Sequence, residues 1–199
     1  FFEWVIGANY LELKESNLKK DDGLYGDPSD PYGPYASASS SSSKYKSSNF
    51  SVFGNLDYLL SASLKFSIGL RWEDWEADYS DSLQESFNPT DKMSGGKISL
   101  IKNMTNDTNM YASLARGYKQ GGFNLGLGLD ANSRNKNLAY DPEFLTNYEL
   151  GINTKLLDSR VTFNGVLFYS DREDQQVLIS TQTDPSDPNT FSFLTQNAA

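Results

Sequence analysis

The chain lacks histidine and cysteine, the residues on which most hydrolytic and metal chemistry at neutral pH depends. That removes Ser-His-Asp and Cys-His nucleophilic pairs, H-E-x-x-H zinc sites, thiolate metal sites and disulfides. Ser-Lys dyads and carboxylate pairs remain chemically open, but none stands in a recognisable frame. Gly121-Gly122 opens a polar loop rather than a helix, so it is not a phosphate cradle. The chain therefore reads as a non-enzyme with no cofactor. The sequence Asp-Pro-Ser-Asp-Pro occurs at 27–31 and again at 184–188. Its carboxylates are hard oxygen ligands of the kind that hold Ca²⁺, yet proline interrupts both copies and the spacing fits no calcium loop, so no metal site is assigned. Tyr25, Tyr32, Tyr35 and Tyr45 lie in a polar stretch where rings can stack on a ligand; packing within a loop is the plainer reading. Asn103-Met104-Thr105 matches a glycosylation sequon but falls in a short turn. The polar residues Arg71, Glu73, Glu149, Asn147, Arg116 and Lys65 sit on or near one face of alternating segments. That face is either a solvated, charge-paired interior or a surface that meets a ligand.

The net charge of −9 leaves no basic stripe for nucleic acid. Aromatic residues make up 14% of a chain that is only 38% hydrophobic, a composition suited to rings gathered in narrow bands. No apolar run approaches the ~20 residues of a spanning helix. Hydropathy averaging is blind to alternating strands, so this does not argue against a barrel.

The elements that must hold these residues alternate with period two, which is strand geometry. Strands are expected over residues 1–13, 49–59, 64–72, 95–102, 110–118, 143–155 and 160–171. The last is expected to run on through 175–179, and a further strand begins at 191–195. The cleanest alternation sets Leu64, Phe66, Ile68, Leu70 and Trp72 against Lys65, Ser67, Gly69, Arg71 and Glu73. Residues 15–46 are polar and serine-rich and are expected to form a long mobile loop, because such a run buries too little apolar area to order itself. Long connections near 15–46, 80–93, 119–142 and 180–190 alternate with short ones at 61, 106 and 158. This two-beat rhythm belongs to an up-and-down barrel with tight turns on one side; a Greek-key sandwich has no reason to keep it. Trp72, Trp75, Tyr79, Tyr58 and Tyr111 are then expected as girdle aromatics at strand ends. The chain starts and stops within strands, and residues 1–199 read as an internal piece of a larger barrel domain.

The order of short motifs carries a resemblance. It comprises Tyr111-Ala112-Ser113, Arg116-Gly117-Tyr118-Lys119, Gly121-Gly122-Phe123-Asn124, Tyr140-Asp141-Pro142-Glu143 and Asn147-Tyr148-Glu149-Leu150-Gly151. Gly69-Leu70-Arg71-Trp72-Glu73 precedes them, and Phe168-Tyr169 and Gln175-Gln176-Val177 follow. Together they resemble the barrel of TonB-dependent outer-membrane receptors. The fold so implied is all-β: an incomplete segment, about seven to eight strands, of a transmembrane antiparallel up-and-down β-barrel. The resemblance further implies the bacterial outer membrane, with lipid around the wall. The function it implies is active uptake of a scarce ligand such as a ferric siderophore, with cobalamin, glycans and other nutrients as alternatives. In that family a plug domain blocks the pore, and a TonB energising complex engages the receptor through the N-terminal region that this sequence lacks. Ligand contact is expected at Tyr118, Lys119, Phe123, Asn124 and Arg116, where a strand meets the long excursion. Arg71, Glu73, Asn147 and Glu149 are expected to face the lumen. A passive porin-like channel and a soluble all-β adhesin or binding module are the competing readings.

On this reading Ile68→Arg and Leu70→Arg each cost roughly 2–4 kcal/mol near the bilayer midplane, while polar changes at Ser67 and Gly69 are tolerated better. Unfolding titrations of the variants in lipid vesicles measure the difference. Equal sensitivity at all four positions would remove the assignment of faces.

Overall fold

A strand whose side chains alternate between apolar and polar has to pair on both edges before its main chain is satisfied. In the computed structural model, which describes residues 2–25, 35–82, 86–124, 139–182, 186 and 191–198, this pairing fixes the topology. The strands in chain order are β1 (Phe2–Tyr25), β2 (Tyr35–Ser61), β3 (Leu64–Asp81), β4 (Ser86–Phe87), β5 (Thr90–Asn103) and β6 (Thr108–Lys119). They continue as β7 (Gly122–Phe123), β8 (Ala139–Tyr140), β9 (Glu143–Leu156), β10 (Val161–Glu173), β11 (Gln175–Gln182) and β12 (Phe191–Ala198). The main sheet has the order β1-β2-β3-β5-β6-β9-β10, with β4 added to β3. Long strands that follow one another in sequence are thus neighbours in space, which is an up-and-down meander. Two-stranded ribbons β7–β8 and β11–β12 complete the described residues. The short connections fall at Ala62-Ser63, 104–107 and 157–160, as the sequence rhythm requires. No helix among the described residues is long and apolar enough to cross a membrane, which says nothing about strands.

The chain divides into two compact units. The first comprises Phe1–Asn9, Ser51–Asp74 and Asp91–Ala199, and its register sets the apolar residues in rows. Ile98, Leu114, Tyr148 and Tyr169 are successive cross-strand partners, as are Leu100, Ala112, Leu150 and Leu167. These side chains look outward: Leu150 is 59% and Leu167 73% exposed. Leu70 is likewise 62% exposed, so no second sheet seals it as a sandwich core would require. The alternate residues form polar rows. Lys97, Ala115, Asn147 and Ser170 are partners, and so are Asn103, Asn109, Asn153 and Asn164. The apolar belt ends on the long-connection side at the row Gly96, Arg116, Thr146 and Asp171.

The second unit, Tyr10–Phe50 and Trp75–Thr90, corrects the expectation of a long loop over 15–46. β1 continues to Tyr25, and β2 already begins at Tyr35. Tyr45 lies within β2. Tyr32 and the repeat at 27–31 fall outside the described residues, as do the side chains of Tyr25 and Tyr35. The serines are ordered through their main chain, which needs no apolar burial: the Ser82 N–H donates to the Ser42 carbonyl at 2.9 Å, and the Ser42 N–H to Ser82 Oγ at 3.0 Å. A small core of Trp75, Ala77 and Tyr79 anchors this unit. The Trp75 indole donates to Ser47 Oγ at 3.0 Å, and the Ala77 N–H to the Pro89 carbonyl at 3.0 Å.

Two further expectations change. Trp75 and Tyr79 are buried, whereas Trp72 is exposed. Residues 73, 75, 77 and 79 take the face opposite to 70 and 72, as a two-residue repeat demands. Tyr111 also leaves the girdle: it shares a face with Ser113 and Gly151, while Met110, Ala112 and Leu114 point the other way. The seventh long strand does not run on to 179. At Asp174 the backbone turns to φ 53°, a left-handed conformation that aspartate adopts more readily than most residues, and β11 pairs with β12 instead of extending the β10–β9 ladder.

The Tyr111 ring occupies the space over its partner Gly151, where an added Cβ would run into the ring carbons. Gly151→Val is therefore expected to destabilise the wall by about 1–3 kcal/mol through overpacking. Tyr111→Ala in the same chain should recover part of that loss, as read from urea midpoints in detergent. A Gly151→Val variant as stable as the parent would refute the stacked geometry.

Candidate functional site

One polar network of the first unit is built on β3 and β6. Arg71 and Glu73, two apart on β3, project to the same side, and Tyr118 reaches them from the end of β6. Arg71 Nε donates to Glu73 Oε2 at 2.9 Å and to the Tyr118 hydroxyl at 3.1 Å, and its Nη2 donates to the same Oε2. The Tyr118 hydroxyl donates to Glu73 Oε2 at 3.0 Å. Glu73 is only 7% exposed, and a carboxylate that poorly solvated requires charged and hydrogen-bonding partners. Because β5 lies between β3 and β6, the Tyr118 side chain must pass over β5 to arrive there. Gly95 makes the passage: a Cβ at this position would stand 2.7 Å from the Arg116 carbonyl and 3.1 Å from the Tyr118 ring. Gly95, at the start of the expected strand 95–102, is thus a geometric requirement of the network.

A second polar cluster lies on β9 and β10. Asn147 Nδ2 donates to Glu149 Oε1 at 2.8 Å and Ser170 Oγ donates to Asn147 Oδ1 at 2.7 Å. Lys65 pairs with Asp57 at 2.8 Å. The predicted interior residues Arg71, Glu73, Asn147 and Glu149 therefore all have partners within the wall. Arg116 departs from them. It follows the parity of Leu114 and Met110, its guanidinium lies 4.6 Å over the Phe144 ring, and it stands 3.7 Å from Glu173. It forms part of the polar row above the apolar belt, not of the Tyr118 network.

The remaining candidates, Lys119, Phe123 and Asn124, lie at or just after the end of β6 in the chain and engage different partners. Lys119 is exposed and is the register partner of Glu143. Phe123 belongs to β7, whose partner is Ala139 of β8. Asn124 follows immediately and uses its amide on the main chain of β12: Nδ2 donates to the Thr195 carbonyl at 2.8 Å, and the Thr195 N–H donates to Oδ1 at 2.7 Å. Glu143 accepts from the Gln176 N–H at 2.8 Å and lies 3.4 Å from Arg172. Asp91, outside the apolar belt at the start of β5, has its carboxyl pushed above the ordinary range by burial and then by the Asp141 carboxylate. Among the described residues no group of acidic side chains is arranged to hold a metal ion. Sequence reading assigns no role to Gln176 and Asn197, and nothing in their local pattern shows what they do: their amides donate to the carbonyls of Gln120 and Asp141 respectively, each 56 positions away.

Comparison with known proteins gives one consistent result. The family described as TonB dependent receptor-like, beta-barrel matches residues 2–199. Among solved structures, the ferric yersiniabactin uptake receptor FyuA from Yersinia pestis is 23% identical with a TM-score of 0.57, over 86% of this chain and 26% of that one. The siderophore receptor PiuA from Acinetobacter baumannii is 19% identical with a TM-score of 0.57, over 99% of this chain and 31% of that one. The copper transporter OprC is 14% identical with a TM-score of 0.61, over 98% of this chain and 30% of that one. The chain thus spans roughly a third or less of the length of these structures, and at such identities the likeness establishes the fold.

The network around Glu73 has a measurable strength. Tyr118→Phe removes one hydroxyl that bridges Arg71 and Glu73 and is expected to cost about 1 kcal/mol, whereas Gly95→Val, which forces the ring off β5, should cost more, about 1–3 kcal/mol. Chemical unfolding in detergent reads both. A neutral Tyr118→Phe together with a neutral Gly95→Val would show that the bridge does not form.

Proposed function

This chain belongs to the TonB dependent receptor-like β-barrel family of the bacterial outer membrane, and from that premise we propose that the whole protein takes up a scarce ligand, such as a ferric siderophore, by energised transport. The observation that supports this reading is the family match across residues 2–199, on a meander that sets polar rows against an apolar belt. In the proposal Tyr118, Lys119, Phe123 and Asn124 contact the ligand where β6 opens into the long connection, with Arg116 at the rim of the wall. Arg71, Glu73, Asn147 and Glu149 face the lumen. Arg71 and Glu73 neutralise each other there, while Glu149, held by the neutral Asn147 amide, keeps its negative charge on that face. Energy enters through a TonB complex acting on a part of the protein outside these residues.

The test is uptake of iron-loaded siderophores by cells that carry the full-length protein as their one such receptor. Collapse of the proton gradient is expected to abolish accumulation while surface binding persists, and Tyr118→Ala with Lys119→Ala is expected to weaken binding. Accumulation that survives loss of the gradient would replace this reading with that of a passive porin-like channel. Absence of binding across siderophores, cobalamin and glycans would reject the ligand class.

A further inference from the structure

Three side-chain amides tie together two ribbons that belong to separate sheets. Asn124, at the end of β7, grips both the N–H and the C=O of Thr195 on β12, at 2.7 and 2.8 Å. Asn197, two residues further along β12, does the same to Asp141, which follows β8. The Asp141 N–H donates to Asn197 Oδ1 at 2.7 Å and Asn197 Nδ2 donates to the Asp141 carbonyl at 2.9 Å. The same Nδ2 reaches the Asp174 carbonyl at 2.7 Å, at the point where β11 departs from β10. Gln176 of β11 closes the base: its Nε2 donates to the carbonyls of Gln120 and Asp141, at 2.9 and 3.0 Å. Each asparagine presents an acceptor and a donor to one residue's main chain, as a neighbouring strand would. The β7–β8 ribbon is held near both of its outer ends, by Asn124 and through Asp141, and in each case the holder or the held group belongs to β12.

We infer that Asn124, Gln176 and Asn197 are positioning residues that lock the β7–β8 and β11–β12 ribbons into one cooperative body. Neither ribbon extends the main sheet by ladder pairing. Two-stranded ribbons are marginal alone, so the amide grips determine whether they open separately or together. Opening of either ribbon requires release of the other. The inference needs no ligand and stands whether or not the residues near Phe123 bind one.

Native-state hydrogen exchange on the full-length protein in detergent micelles tests it. The variants are Asn197→Ala and Asn124→Ala, with Asn124→Asp, which keeps the acceptor and loses the donor, as the conservative partner. Each alanine variant is expected to speed exchange roughly fivefold in both ribbons, at 122–124 with 139–141 and at 175–182 with 191–198. The β9–β10 ladder should stay protected and so serve as the control for folding. Asn124→Asp should give a smaller rise, also shared by both ribbons. In the Asn124→Ala, Gln176→Ala, Asn197→Ala triple variant the two ribbons should exchange at independent rates. Acceleration confined to the ribbon that carries the substitution, or no acceleration in any variant, would overturn the inference.

Discussion

Hydrocarbon offers no partner to a peptide N–H or C=O, and that deficit governs the wall. A strand in lipid must be satisfied by its neighbours, so β6 carries an unbroken ladder to β9 from Thr108 to Lys119 and another to β5 as far as Gly96. Once the ladders are fixed, side chains have two faces and no third choice. Apolar residues go to the lipid and polar residues to the other face, and a slip of one residue would exchange them wholesale. The same constraint explains why strand order follows sequence order, since short turns at 104–107 and 157–160 leave each new strand beside the last. In the latter turn Leu157, Asp158 and Ser159 all adopt positive φ, so the tight connection is made by backbone geometry that side chains other than glycine seldom take.

The sheets show a second regularity. Aromatic rings repeatedly occupy the space left by a glycine on the adjoining strand: Phe53 over Gly7, Tyr111 over Gly151, Tyr118 beside Gly95 and Tyr140 over Gly122. A ring placed over a neighbour's glycine shields that stretch of backbone. At Gly95 this device also does chemical work, because it brings a β6 hydroxyl to a β3 carboxylate across the strand between them. The wall's shape and its polar network thus rest on the same small residues.

Much of this was legible in the chain. The alternation at 64–72 sets Leu70 and Trp72 on one face and Arg71 and Glu73 on the other, and the strand expected over 110–118 lies within β6. Parity alone also held the correct answer for Trp75 and Tyr79, three and seven positions from Trp72 and so on the other face; proximity to a loop was the weaker argument. The serines at 39–43 mislead because side-chain composition measures burial, whereas the main chain of Ser42 is held by Ser82, forty positions distant. The partners of Gln176 and Asn197 were out of reach for the same reason. Period and turn chemistry are local properties, whereas an amide that grips a remote backbone leaves no periodic trace.

Asn124 and Asn197 hold the peptide groups of Thr195 and Asp141 and not their side chains. The grip is therefore indifferent to what those two positions display. Over evolutionary time, or in a designed library, the outer surface can be rewritten there with new shapes and charges while the framework beneath keeps its geometry.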